Sequence, residues 1–288
     1  MIGRALRHYL LAVQFFTRLP VTGRLARWVG FSDAALRASA AHFPGVGWLI
    51  GAIAALVWLA TTTLLGGTGA GVDGAAGGLA PGVAAVAAVF STAATVLVTG
   101  AFHEDGLADV ADGLGGTLDR ERALAIMKDS RLGSFGVLAL VLVVAAKLSL
   151  LAALAQRDPS SAVAAVMLTA HVVSRFAPLM LIRTLDYVEA GTRDTPLKAK
   201  PMASAIGDRA LVVAGLWTLP ALAWLAAVIG VPALACTIVA IALLTAMLGR
   251  WFRRRLGGFT GDCLGATQQG VELLVYLCAC AAWGSIFA

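Results

Sequence analysis

The chain has 288 residues, 59% of them hydrophobic and only 13% charged, whereas soluble domains are nearer half apolar and a quarter charged. That balance excludes an ordinary soluble domain and leaves no room for a separate soluble unit beside the apolar runs. The net charge of +6 reads as the lysine and arginine bias of cytoplasmic loops, not as a nucleic-acid footprint, because of where those charges fall. Residues 2–17 have the pattern of an amphipathic helix lying at the membrane interface and ended by Pro20, with Tyr9, Phe15 and Phe16 suited to headgroup depth. The short apolar run at 9–16 has Arg7 and Arg18 on its flanks and no small-residue cleavage site, so it does not read as a cleavable signal.

Seven long apolar segments follow, near 43–65, 82–102, 135–155, 161–183, 210–229, 232–249 and 268–287. Each is long enough to cross a hydrocarbon core of about 30 Å at about 1.5 Å rise per residue. The stretch 66–82 is rich in glycine and reads as a flexible outer loop. Gly230, Val231 and Pro232 join the fifth and sixth segments in a tight helical hairpin. Nineteen of the 22 lysines and arginines lie in 1–42, 103–134, 183–209 and 250–267, which are alternate connections and therefore one side of the membrane. The expected fold is all-α, a polytopic membrane bundle of about seven transmembrane helices with an interfacial N-terminal helix. It forms a single membrane-embedded catalytic domain over 1–288, with an N-terminal segment 1–42 and the bundle 43–287. Loops 103–134, 183–209 and 250–267 are its active-site side, cytoplasmic with the N-terminus, and the C-terminus is external. Cys236, Cys263, Cys278 and Cys280 lack paired metal-ligand spacing, so no disulfide or zinc site is expected.

Three polar patches carry the chemistry. In His103-Glu104-Asp105-Gly106-Leu107-Ala108-Asp109, continued to Asp112, the residues Asp105, Asp109 and Asp112 stand at i, i+4 and i+7 on one helical face. Like charges stacked this way repel, and a divalent cation removes the conflict; Mg²⁺ suits carboxylates together with water and phosphate oxygens. The competing reading is a solvated acidic face. The second patch, Lys128-Asp129-Ser130-Arg131 before Gly133, Ser134 and Gly136, suits a phosphate cradle completed by amides at the next helix start, or else ordinary positive-inside charge. The third runs from Arg250 and Arg253–Arg255 to Gly257, Gly258, Thr260, Gly261 and Asp262. Its arginines suit lipid headgroups, its glycines permit close approach of backbone to a ligand, and Asp262 could complete the metal site or orient the nucleophile. Within the spans lie Lys147, His171, Arg175 and Glu272; the depths suggest an Arg175–Glu272 or a Lys147–Glu272 pair, with His171 a satisfied interior residue.

Together these pieces resemble the cobalamin synthase family, adenosylcobinamide-GDP ribazoletransferase. The resemblance is carried in order by Gln14-Phe15-Phe16-Thr17-Arg18-Leu19-Pro20-Val21, Phe43-Pro44, the acidic helix, the Lys-Asp-Ser-Arg segment, Ser174-Arg175, and Gly257 through Gly265. The departures, at Gly45 and Val110, touch no proposed ligand. The resemblance implies attack by the 5′-hydroxyl of α-ribazole, or of its 5′-phosphate form, on the cobinamide-linked phosphorus of adenosylcobinamide-GDP, with GMP leaving. Mg²⁺ is the implied ion, and a bacterial inner membrane the implied location. Partners expected are the two substrates and membrane lipid, with no nucleic acid; a homo-oligomer or other late corrinoid-pathway enzymes are further candidates.

On this reading Glu104, Asp105, Asp109 and Asp112 bind one or two ions at the diphosphate. Lys128 and Arg131 neutralise charge on the departing GMP, and His103 or a carboxylate takes the proton. The catalytic set is His103, Asp105, Asp109, Lys128 and Arg131; Lys128, Asp129, Ser130, Arg131, Arg175, Thr260 and Asp262 bind substrate. Two rivals remain. A CDP-alcohol phosphotransferase needs a Gly-x₃-Asp-x₃-Asp frame that fails after Gly116; a transporter of a cation or corrinoid favours midplane charges and repeated halves, whereas this chain has no evident repeat and its acidic cluster lies at the membrane edge.

Overall fold

The computed structural model describes residues 2–66, 79–156, 160–188 and 206–283. Most of the expected outer loop at 66–82 and of the segment 183–209 lies outside the described residues. Thirteen α-helices are described: α1 Ile2–Phe16, α2 Gly23–Val29, α3 Asp33–Ser39, α4 Phe43–Leu64, α5 Pro81–Thr99, α6 Phe102–Gly116, α7 Arg120–Ile126, α8 Ser134–Ala155, α9 Ser160–Ser174, α10 Ala177–Thr184, α11 Asp208–Ile229, α12 Val231–Leu256 and α13 Gly261–Trp283. The described β-structure is a lone parallel bridge between Tyr187 and Phe259.

Six helical stretches are long and apolar enough to cross a bilayer, and they coincide with the first six expected spans: Asp33–Leu64, Pro81–Thr99, Ser134–Ala155, Ser161–Thr184, Asp208–Ile229 and Val231–Leu256. The chain is an integral membrane protein. The seventh expected span lies in α13, whose first half carries Gln268, Gln269 and Glu272 and so shortens its apolar run. Those polar groups are tolerated because α13 runs through the middle of the bundle, packed by α6, α8, α9, α10 and α12. By contrast α8 and α12 leave rows of leucine and valine exposed, such as Leu138, Leu142, Val239 and Leu243, as lipid-facing helices do.

The N-terminal helix is amphipathic, as expected, and its apolar face has a protein partner. Its apolar face, with Leu11, Ala12, Val13 and Phe16, is buried against the protein, and Tyr9 stacks on Trp217 of α11 at 5.7 Å. Phe16 packs edge to face on Phe43 at the start of α4, so these aromatics close over the bundle.

Two backbone features deliver the acidic helix to its place. Gly100 and Ala101 both adopt left-handed conformations, at φ 68° and 60°, reversing α5 into α6; for alanine this costs about 1–2 kcal/mol, which the surrounding contacts must outweigh. The Arg18 side chain lies directly over Gly100, and its backbone N–H donates to the Val98 carbonyl at 2.7 Å. Then α6 crosses α13 at two glycines. A Cβ at Gly106 would stand 2.9 Å from the Asp262 carbonyl oxygen, and one at Gly265 would stand 3.1 Å from that of His103.

The fourth span is broken. Arg175 and Phe176 donate their amides to carbonyls only three residues back, on Val172 and Val173, and Pro178 opens α10. The break sets Arg175 and Pro178 in the wall of the cleft described next.

Candidate active site

The ends of α1, α4, α6 and α13 and the α9–α10 break enclose a cleft with a cavity volume of about 180 Å³. It brings together His103 and Asp105 from α6, Arg175 from the break, and Asp262 and Gln268 from α13, against walls of Phe15, Phe16, Phe43 and Phe102. Two of the three sequence patches thus meet, and they meet because of the glycine crossing.

At the rim the carboxylates crowd one another. Asp109 has its pKa raised to about 7, first by burial and then by the neighbouring charges of Asp262, Asp105 and Asp112. Thr260 donates its hydroxyl to Asp262 at 3.2 Å and so orients that carboxylate. Asp105 is exposed at the mouth. Among the described residues no cation forms an ion pair with Asp105, Asp109 or Asp262, and no three acidic, histidine or cysteine side chains already converge tightly enough to hold a metal by themselves.

The other two carboxylates expected at the metal are directed elsewhere. Asp112 accepts from the amides of Gly133 and Gly136, at 2.7 and 2.8 Å, and so caps α8, where a negative charge meets the positive helix end. The amides expected to cradle phosphate are therefore already taken by this carboxylate. Glu104 points away from the acidic stripe into the bundle, because successive helical residues differ by about 100°. Its Oε1 accepts from Gln269 at 3.0 Å, while Oε2 is buried without a partner.

Inward from the rim runs a buried polar network. Gln269 also donates to the Gln268 side-chain oxygen, and Gln268 donates to Ser174 and Glu272, at 3.0 and 2.8 Å. Glu272 pairs with Lys147 at 2.5 Å and accepts from Tyr276, so the Lys147 pairing is the one realised. His171 stands 3.4 Å from the same carboxylate. Arg175 donates to the His171 carbonyl at 2.9 Å, and its Nε is buried without a protein partner. A guanidinium held this way at the cleft wall suits an incoming phosphate oxygen.

His103 is 4% exposed and lies parallel to Phe16 at 5.7 Å. Burial, followed by the nearby Arg175 charge, holds its pKa well below the usual imidazole value, so the ring is neutral and weakly basic.

The second patch stays on the surface. Lys128 and Ser130 are exposed, and Arg131 grips Asp129 with contacts of 2.6 to 3.0 Å. That grip lowers the Asp129 carboxyl to about 2. The loop is tied to the acidic helix through Asp112. In the third patch Arg255 donates to the carbonyls of Leu114 and Thr117, and Arg120 to that of Leu256, so these arginines join α6 and α7 to α12. Gly258 approaches the Asp186 backbone, where close approach to a ligand was expected. What sequence reasoning missed is the aromatic wall; of its residues only Phe102 adjoins a polar motif in sequence.

Comparison with known proteins identifies the family. Residues 8–280 match the family described as Cobalamin-5-phosphate synthase. The chain is 51% identical to an adenosylcobinamide-GDP ribazoletransferase of Polaromonas sp., covering 96% of this chain and 97% of that protein. It is 49% identical to one from Albidiferax ferrireducens, over 96% and 98%, and 40% identical to one from Vibrio cholerae, over 93% and 91%. No solved structure matches. With the motifs in order along nearly its whole length, the chain belongs to the cobalamin-5-phosphate synthase family of membrane enzymes.

Proposed function

We propose that the chain joins adenosylcobinamide-GDP to α-ribazole at the carboxylate rim of this cleft, with Mg²⁺ as its ion. The 5′-hydroxyl oxygen bonds to the cobinamide-linked phosphorus, the diphosphate P–O bond breaks, and GMP leaves with that bond's electron pair. The observation that carries the reading is the crowding of Asp105, Asp109 and Asp262, without a partner cation among the described residues, beside an Arg175 whose Nε is unpartnered.

Asp105 and Asp109, joined by Asp262, would hold Mg²⁺; one or two carboxylates suffice when water and phosphate oxygens complete the shell. When bound, the ion neutralises the diphosphate and the charge growing on the leaving group. The protein's own groups do the rest. Arg175 binds a phosphate oxygen from the cleft wall. Lys128 and Arg131 lie on the loop that Asp112 fastens to the acidic helix and supply positive charge to the departing GMP. The hydroxyl proton passes to a rim carboxylate, since Asp105 is exposed at the mouth while His103 is buried against Phe16. His103 instead shapes the cleft through its stack on Phe16.

The lysine and arginine asymmetry supports a cytoplasmic rim in a bacterial inner membrane. Purified protein in lipid nanodiscs should convert adenosylcobinamide-GDP and α-ribazole to adenosylcobalamin and GMP with Mg²⁺, and should stop when EDTA removes it. A full rate with all divalent cations chelated would refute the metal; no product from well-folded protein would refute the reaction.

A further inference from the structure

The cleft is more aromatic than phosphoryl transfer requires. Phe15 and Phe16 of α1, Phe43 of α4 and Phe102 of α6 meet edge to face, Phe16 with Phe43 at 4.5 Å and 84°, and Phe15 with Phe102 at 5.4 Å and 74°. Three separate helices contribute to this wall. Phe102 remains 40% exposed although it lines the cleft, so an apolar ring lies open a few residues from the rim carboxylates.

We propose that this wall binds the base of the acceptor nucleoside, a flat benzenoid ring system whose outer edge carries no hydrogen-bonding group. The assignment rests on the reaction proposed above and adds where its acceptor sits. The size fits: about 180 Å³ admits roughly a dozen water-sized spheres, enough for one nucleoside and far too little for a corrinoid. The chemistry discriminates as well. α-Ribazole carries a methylated benzimidazole, whose benzo edge has no hydrogen-bonding group and can stack on phenyl rings, its single ring acceptor lying on the ribose side. Guanine, the base of the donor's nucleotide, would bury amide and amino groups against phenyl faces, which offer no partner, and that is costly. The rim carboxylates Asp105 and Asp262 line the same cleft as the phenylalanines. A base seated among the phenylalanines directs its ribose toward Asp105 and Asp262, so the attacking hydroxyl emerges at the proposed ion.

The test uses the full chain in nanodiscs with Mg²⁺ and compares Phe102→Ala with Phe102→Tyr. Removing the ring should raise the KM for α-ribazole about tenfold, in line with aromatic–base stacking. The KM for adenosylcobinamide-GDP should stay unchanged, and tyrosine should restore the wild-type value. Calorimetry with α-ribazole and, separately, with GMP decides the matter even if no turnover occurs. Binding of α-ribazole that weakens in Phe102→Ala supports the site. Unchanged α-ribazole affinity, or a loss confined to GMP or to the donor KM, overturns it. Phe15→Ala, on a different helix, provides the same readout should Phe102→Ala fail to fold.

Discussion

Glu272 is the most exacting place to perturb this bundle. Its side chain is 2% exposed and that of Lys147 is 6% exposed. One carboxylate oxygen meets Lys147 at 2.5 Å and Tyr276 at 3.2 Å; the other meets Gln268 at 2.8 Å and His171 at 3.4 Å. Glu272→Leu leaves a buried ammonium stranded and strips the acceptor from Tyr276 and Gln268. Breaking a buried pair costs about 3–5 kcal/mol, and an unsatisfied buried donor about 1–3 kcal/mol; the effects overlap, so about 4 kcal/mol is expected. At about 2–4 °C per kcal/mol for a chain of this size, the melting temperature in a fixed detergent should fall by roughly 10 °C. Lys147→Met on the Glu272→Leu background removes the stranded charge and should recover more than half of that loss. Thermal melts followed by tryptophan fluorescence measure both. A Glu272→Leu protein that melts with wild type, or a double variant no more stable than the single, would refute the reasoning.

Three further outcomes follow from the rim. The folded Asp109 pKa, raised to about 7, lies above its unfolded value near 4, so the metal-free protein should lose stability as pH rises from about 4 to 7 and level off above. Mg²⁺ should bind more tightly over that same rise, because binding displaces the Asp109 proton; melts with and without Mg²⁺ at pH 5 and pH 8 check both signs. Asp112→Asn should cost about 1–3 kcal/mol and speed amide exchange at Gly133 and Gly136, with unchanged exchange there counting against the cap. Gly106→Ala should force α6 and α13 apart and lower turnover at a stability cost of about 1–3 kcal/mol; wild-type turnover would show that the crossing does not set the rim.

Six spans were legible because an apolar run of bilayer length has few other meanings, and the acidic stripe was legible because Asp105 and Asp109 are a helical turn apart. Helical spacing could not reveal that Asp112 is claimed by amides 21 and 24 residues on. Glu104 adjoins Asp105 in sequence but faces Gln269 on another helix. Gly258 does serve close approach, but to the backbone of Asp186, a partner some seventy residues away that no local pattern encodes, while Gly257 ends its helix in a left-handed conformation. The aromatic wall was hidden for the same reason: Phe15, Phe43 and Phe102 become one surface only after α1 folds down on the bundle. Composition described that helix well, and its amphipathic face would have suited lipid equally; which apolar surface it covers is a tertiary fact.

Asp105, exposed at the mouth of the cleft, is the carboxylate on which the proposed ion depends most. The most direct measurement is Mg²⁺ titration of adenosylcobalamin formation by wild type and by Asp105→Asn, both shown to melt alike. The account predicts product from wild type and a variant whose rate is lost at low Mg²⁺ and only partly regained at high Mg²⁺. A variant with the wild-type rate and the wild-type Mg²⁺ midpoint would contradict it.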